Sequence, residues 1–203
     1  MTPGTPALLG PWQRSAGFTL IELLVTVVAL SILLGLAVPA FRTFMQNDQQ
    51  WLQQNNLVLA LNAARSEAIK NDLPGGVSVC ASTGVGNPPT CDGVSWAQGW
   101  IVLPSQNPFN LNPAAQAKPV QVVGALPPGT TLNERNGNLS LTFLSSGVLN
   151  TGLLANPAAS VKFTMCDSRG ATYARYLQVN LMGRVVASPV VGQDLAGAAL
   201  TCP

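Results

Sequence analysis

Histidine is absent from this sequence of 203 residues, and acidic residues are scarce. Asp and Glu together number 8, and charged residues make up only 9 % of the chain. General bases, zinc ligands and Ser/His/Asp relays are built mainly from these residue types. We therefore expect no enzyme, cofactor, metal site or small-molecule substrate. The net charge of +2 is too small to predict nucleic-acid binding from bulk electrostatics.

The cysteines form no C-x-x-C pair, which argues against redox catalysis and zinc binding. An even number of them fits structural disulfides, which persist outside the cytosol. More than one pairing is open to four cysteines. We favour Cys80 with Cys91, because they close a short Gly/Pro-rich loop, and Cys166 with Cys202, because they tie down a weakly structured tail.

The most apolar part of the chain lies near its N-terminus, where Glu22 is the only charge between Phe18 and Val38. A helix from Phe18 to Phe41 would reach about 36 Å, enough to cross a hydrocarbon core of about 30 Å. Arg14 precedes this run, so the short N-terminal piece is expected in the cytoplasm and the rest of the chain across the inner membrane. This position also suits a secretory signal, but Pro39 makes an ordinary cleavage site after Val38 less attractive.

The residues Gly17-Phe18-Thr19-Leu20-Ile21-Glu22 resemble the signal of type IV pilins. In that family a prepilin peptidase cuts before the apolar run and methylates the new N-terminus. The resemblance implies cleavage between Gly17 and Phe18 and N-methylation of Phe18. It also implies a role in filament assembly for Glu22, whose carboxylate would pair with the terminal amine of a neighbouring subunit. The alternative is that Glu22 lies near the helix end and reaches the lipid headgroups.

Helical periodicity continues beyond the apolar run, with Leu57, Leu61, Ala64 and Ala68 on one face. One long helix is therefore predicted, ending at residues 71–76, with a kink or a locally melted segment at Pro39 in the assembled filament. The chain then changes to short apolar segments separated by turn residues, which predicts a mainly antiparallel sheet structure. The predicted strands are 77–80, 96–103, 120–123, 139–144, 161–166 and 173–181, with a final hairpin into 184–187. Residues 104–119 are predicted to form an exposed loop.

Motifs in this second part narrow the resemblance to the GspH/FimT branch of pseudopilins and minor pilins. They are Ala64-Arg65-Ser66-Glu67-Ala68-Ile69-Lys70, Val79-Cys80, Trp96-Ala97-Gln98-Gly99-Trp100 and Val179-Asn180-Leu181-Met182-Gly183-Arg184. Trp96 and Trp100 would share one face of a strand and are interpreted as core residues. The predicted class is α+β and pilin-like: a leader at 1–17, a helix at 18–72 that spans the membrane to about 41, and a periplasmic β-rich head at 73–203.

The resemblance implies a structural subunit that initiates or caps a type IV pilus, with other pilins and the prepilin peptidase as partners. A pseudopilin of a type II secretion system is the close alternative. A DNA-binding minor pilin for natural transformation is a further alternative and is not favoured, because Gly183-Arg184-Val185-Val186 lacks the second arginine of the Gly-Arg-x-Arg motif. If DNA were bound, the contact residues would be Lys162, Arg169, Arg175 and Arg184, on one exposed face.

Overall fold

The computed structural model describes residues 17–86, 88–104, 118–157 and 159–202. The chain divides between Gln46 and Asn47 into an N-terminal unit and a second unit, here called the head unit. The predicted leader, apart from Gly17, and most of the predicted loop at 104–119 lie outside the described residues.

A single α-helix, α1, runs over Leu20–Asn71 and belongs to both units. Glu22 lies in its first turn and Lys70 in its last, where each charge suits the helix dipole. The helix ends because Asp72 turns into the left-handed region at φ 44° and residues 72–76 form turns. The predicted end of the helix is confirmed, and its start lies two residues after the predicted one.

In its described residues the head unit contains eight strands in two four-stranded sheets, all paired antiparallel. The first sheet has the order β3-β2-β1-β5, with β1 at Val77–Ala81, β2 at Trp100–Pro104, β3 at Gln121–Val123 and β5 at Ser140–Phe143. The second has the order β4-β6-β7-β8, with β4 at Thr131–Glu134, β6 at Ser160–Cys166, β7 at Arg175–Asn180 and β8 at Val185–Ala187. Short 3-10 helices occupy Trp96–Gln98, Thr151–Leu153 and Ala171–Tyr173.

One hydrophobic core joins α1 to both sheets. The four residues of the predicted helical stripe are at most 1 % exposed, and Ala60 joins them at 0 %. Alternate residues of the strands complete the core, since every second side chain of a strand points to the same face. The main contributors from the strands are Val77, Val79, Trp100, Val102, Leu141, Phe143, Val161, Phe163, Leu177 and Val179.

The two tryptophans of the W-x-x-x-W segment are both buried, so their interpretation as core residues is confirmed. The single strand predicted over 96–103 is wrong at its start, because Ser95 caps the short 3-10 helix and accepts a hydrogen bond from the N–H of Ala97. Gly99 then has φ 111°, and a Cβ there would lie 2.3 Å from the carbonyl oxygen of Val123. The indole of Trp96 donates to the carbonyl of Asn138 at 2.7 Å and meets Phe163 edge to face.

Two disulfides join the pairs that the sequence analysis favours. Cys80 and Cys91 lie on the face of the first sheet that bears Ile101 and Leu103, and with them form a small second cluster. Cys166 and Cys202 connect the end of β6 to the C-terminal segment. Each disulfide therefore attaches a segment without regular strands to a buried strand.

Arg65 connects α1 to two turns of the head unit. Its Nε donates to the carbonyl oxygen of Gly147 at 2.9 Å. A Cβ on Gly183, in the turn before β8, would lie 2.2 Å from that same oxygen and 3.0 Å from Nε of Arg65. Gly183 has φ 71° as well, so both the backbone conformation and the space require glycine. Glycine at position 183 of the Gly183-Arg184 pair is therefore required by the fold, whatever the pair's role in binding.

This junction predicts that Gly183→Ala lowers the free energy of unfolding by roughly 3 kcal/mol, because a strained backbone and a collision act together. Gly137→Ala is the matched control: Gly137 has φ 76°, but nothing lies within 4 Å of its added Cβ. The control should lose about 1–2 kcal/mol from the left-handed conformation alone. Equal melting temperatures for the two variants, measured on the full chain in detergent, would contradict the account of the junction.

Candidate functional site

The N-terminal unit presents an apolar helical surface. Every residue from Gly17 to Met45 is exposed, and the large apolar side chains from Phe18 to Phe44 keep half or more of their surface open. An 18-residue window of this helix has a mean hydropathy of 2.6, so its length and composition suffice to cross a membrane. Such a continuous apolar surface is far larger than a monomeric soluble protein leaves in water.

The predicted cleavage site lies directly before α1, in the exposed, non-helical residues Gly17, Phe18 and Thr19. Thr19 acts as the N-cap, because its hydroxyl accepts a hydrogen bond from the N–H of Glu22 at 3.2 Å. Glu22 itself lies in the first turn, exposed and without a salt bridge among the described residues. The structure thus leaves the Gly17–Phe18 bond open to a peptidase and the carboxylate of Glu22 open to a partner.

Helix α1 is continuous through Pro39 in the single chain. Proline has no N–H, so the carbonyl of Gly35, four residues earlier, has no intrahelical donor there. A hydrogen bond from the hydroxyl of Thr43 reaches the carbonyl of Pro39 at 3.2 Å. The kink or melted segment expected at Pro39 concerns the assembled filament and stays a prediction.

The four cations named as possible DNA contacts do not form one patch. In β6 and β7 the register pairs Lys162 with Gln178 and Met165 with Arg175. Lys162 therefore lies on the outer face of the second sheet, whereas Arg175 lies on the face that bears Leu177 and the core, since side chains alternate between faces. The expectation of one exposed face is wrong for this pair.

The remaining two cations are also separated. Arg184 follows the turn opposite Asn180, so it lies at the other end of β7 from Arg175, about 17 Å along the strand. Arg169 is neutralised by its ion pair with Asp167 at 2.6 Å and stacks over the ring of Tyr173 at 4.4 Å. Arg175 and Arg184 therefore lie at opposite ends of β7 and do not form one patch.

The outer face of the second sheet and the C-terminal segment enclose an open cleft of about 380 Å³. Arg135, directly after β4, lies beside Lys162 of β6 in this cleft, since the N–H of Arg135 donates to the carbonyl of Lys162 at 2.9 Å. Asp194 faces the same cleft, and hydrogen bonds from the N–H groups of Ala198 and Ala196 lower its pKa, helped by the two cations. Positive and negative groups are mixed in this cleft, so it is not a cationic surface.

Polar residues, which the sequence analysis did not single out, extend the buried stripe of α1 towards the N-terminus. Asn47, Gln50 and Gln54 stand at the spacing that leads into Leu57, and Gln50 and Gln54 are buried. Gln54 donates to the carbonyl of Tyr176 at 3.0 Å, and its amide oxygen accepts a long hydrogen bond of 3.5 Å from Arg175. Burial and the nearby charge of Arg169 lower the pKa of Arg175. The heptad-like spacing was the signal that could have revealed this layer.

Among the described residues, no three or more His, Cys, Asp or Glu side chains lie together in a group that could hold a metal ion. The described residues instead present an exposed apolar helix, with the carboxylate of Glu22 in its first turn, and a head unit with a packed core. Such an arrangement suits packing against lipid and against other helices.

Two sequence families match the chain. The model of GspH, the type II transport protein family, matches residues 53–183, and that of the prokaryotic N-terminal methylation motif matches residues 12–38. A comparison with curated proteins found no match.

Two crystal structures of the type IV minor pilin FimU of Pseudomonas aeruginosa strain PAO1 are similar to the chain in fold. The first, in space group P21, has a TM-score of 0.53 and 21 % identity, and the match covers 72 % of this chain and 92 % of that one. The second, in space group P65, has a TM-score of 0.48 at 21 % identity and covers 66 % and 89 %. The first match supports the pilin fold of a long helix on antiparallel sheets.

The GspH match covers more than half of the chain and includes the core stripe of α1 and most of both sheets. The methylation motif covers the capped helix start and the apolar run. The chain therefore belongs to the GspH family and is a FimT/FimU-like type IV pilin, a structural subunit of the minor pilin or pseudopilin kind rather than an enzyme.

Proposed function

We propose that this pilin is a minor pilin that initiates or caps assembly of a type IV pilus. It is made with a leader of residues 1–17, which prepilin peptidase removes before methylating Phe18. The segment of residues 18–72, which contains α1 at Leu20–Asn71, then holds it in the inner membrane to about residue 41, with residues 73–203 as a periplasmic head. The observation that carries this proposal is the fully exposed apolar helix of residues 20–45, continuous with a helix half that is built into a packed core.

The apolar surface supports membrane storage followed by filament packing. Lipid covers this apolar surface first, because the helix is long enough to span the hydrocarbon core. In the filament, the apolar helices of other pilins pack against this surface and replace the lipid. The core of the head unit draws its α1 residues from Leu57 onwards, so these transfers leave that core unchanged.

Glu22 gives this apolar helix a specific contact. A carboxylate in a hydrocarbon environment costs about 2.5–3.5 kcal/mol. The terminal amine created at Phe18 of a neighbouring subunit would neutralise it. The helix dipole offers the alternative of a local role, since Glu22 lies in the first turn, but that effect is only about 0.3–1 kcal/mol.

The same arrangement serves a pseudopilin of a type II secretion system, and the family description names that system for its members. DNA capture gains no support from the described residues, because Lys162, Arg175 and Arg184 lie apart and Arg169 is ion-paired. Phosphate binding depends on several cations placed together. We therefore keep filament assembly as the function.

Processing provides the direct test of the proposed maturation. Protein extracted from membranes of a strain with active prepilin peptidase should have the intact mass of a chain that starts at methylated Phe18. The glycine before it has no side chain to block the peptidase, and the bond lies in exposed, non-helical residues. A chain that starts after Ala40, or one that keeps Met1, would contradict the proposal.

The role of Glu22 is tested by Glu22→Ala. We expect equal or better membrane insertion, because a buried charge is removed, and at least a tenfold loss of the chain from sheared filaments, since about 1.4 kcal/mol corresponds to tenfold. Glu67→Ala is the control, because Glu67 is an acidic residue of α1 outside the apolar run. Quantitative mass spectrometry of filaments and membranes gives both readouts, and wild-type amounts of Glu22→Ala in filaments would show that the carboxylate is only tolerated.

A further inference from the structure

Two arginines lie beside the polar layer of α1 in the head unit. Arg169 is fully occupied: its guanidinium binds Asp167 through two nitrogens, donates to the amide oxygen of Asn47 and covers Tyr173. Within the described part of the chain, Arg175, at the start of β7, has only the long hydrogen bond from Nη1 to Gln54. Its Nε is buried and has no acceptor among the described residues.

The chain has no acidic side chain for Arg175. Its acidic residues number 8, and all of them lie in the described part of the chain. They are Glu22, Asp48, Glu67, Asp72, Asp92, Glu134, Asp167 and Asp194. The one salt bridge that they form within the described residues joins Asp167 to Arg169. Asp167 therefore neutralises Arg169, and the half-buried charge of Arg175 has no carboxylate partner among the described residues.

A second buried donor points to the same need. Gln50 is 3 % exposed, stands one helical turn before Gln54, and its amide nitrogen has no acceptor among the described residues. Buried donors without acceptors are rare in folded proteins and costly. Gln50 and Arg175 thus each carry a buried donor without an acceptor, and no carboxylate of the described residues neutralises the charge of Arg175. The head unit therefore leaves this layer short of acceptors and of negative charge.

We propose that Arg175 receives a carboxylate from an acidic side chain of a neighbouring pilin subunit, with the amide-bearing layer of Gln50 and Gln54 beside it. This inference rests on the proposed function, since it names the chemistry of a partner in the filament. A carboxylate fits because it neutralises a guanidinium through charge-assisted hydrogen bonds, which the Nη groups of the half-buried side chain can donate. A water molecule would satisfy one donor but leave the charge.

Arg175 is accessible enough for such a contact. The residue is half-buried rather than buried, and Asn47, which accepts a hydrogen bond from the nearby Arg169, is exposed. The interaction would also be selective, because a neighbour without an acid at this position leaves the guanidinium buried and unpaired. Arg175 is thus a residue that selects its neighbour rather than one that stabilises the single chain.

The test compares filament incorporation with the stability of the single chain for Arg175→Gln. Incorporation into sheared filaments should fall about tenfold, because a buried charge pair at the interface is lost. The melting temperature of the full chain in detergent should stay the same or rise, because an unneutralised buried charge is removed. Arg175→Lys should incorporate at an intermediate level, since it keeps the charge but loses the fork. Arg184→Gln, at an exposed arginine, is the matched control and should behave as wild type.

Charge exchange identifies the partner. Arg175→Glu should abolish incorporation, and a Glu→Lys or Asp→Lys substitution in a co-assembling pilin should restore it. Wild-type incorporation of Arg175→Gln would overturn this inference and leave the proposed function intact. A lower melting temperature for Arg175→Gln would also overturn it, because the residue would then be structural. Absence of the wild-type chain from filaments would overturn the proposed function and this inference together.

Discussion

The close contact between the small residues of α1 and the two sheets is the constraint on which the head unit depends. Ala60, Ala64 and Ala68 have no exposed surface, and they belong to one cluster with residues of both sheets. Alanine lets a strand approach the helix backbone, and Leu57 and Leu61 contribute about 1.5–3 kcal/mol each by burial. Neither sheet of four short strands has another α-helix to cover its inner face in the described part of the chain.

The rest of the architecture follows from this contact. Because the helix lies close to the sheets at Ala64, its neighbour Arg65 reaches the carbonyl of Gly147, and Gly183 must be a glycine. Farther towards the N-terminus the same helical face turns polar, and its amides meet β7 instead of the apolar core. One helix therefore offers three surfaces in order: an exposed apolar one, a polar layer with an unneutralised arginine, and a buried seam. Under the proposed function, the first would face the membrane and then the filament, the second a neighbouring subunit, and the third the core of the head unit.

Periodicity predicted the elements whose residues repeat regularly. The helical stripe from Leu57 to Ala68 and the strands β1, β6 and β7 alternate or repeat clearly enough to be placed within two residues. The sequence does not predict strand β4, because Thr-Leu-Asn-Glu is short and polar. Its Glu134 is buried, and hydrogen bonds from the N–H groups of Asn136 and Asn138 to its carboxylate offset the cost of that burial. No local sequence pattern predicts the burial of Glu134, because it depends on the pairing of β4 with β6.

The sequence also does not predict which face of a sheet a side chain lies on. The cations of the last quarter were grouped by their nearness in sequence, whereas the register of β6 and β7 assigns Lys162 and Arg175 to opposite faces. The start of β2 was misplaced because a capping box at Ser95 and Gln98 turns Trp96 into a 3-10 helix. The N-terminal site needed no tertiary information, since its residues are contiguous in sequence and the helix start alone positions them.

The measurement that tests this account most directly is the thermal stability of Ala64→Leu in the full-length chain in detergent, compared with Ser66→Leu. Ala64 has no exposed surface, whereas Ser66 is exposed on the same helix. The two variants therefore add a similar volume, one in the packed core and the other on the surface. The account predicts that Ala64→Leu lowers the melting temperature by roughly 3–10 °C, because overpacking costs about 1–3 kcal/mol, while Ser66→Leu leaves it nearly unchanged. Equal melting temperatures for both variants and the wild type would show that the head does not depend on a close helix–sheet contact.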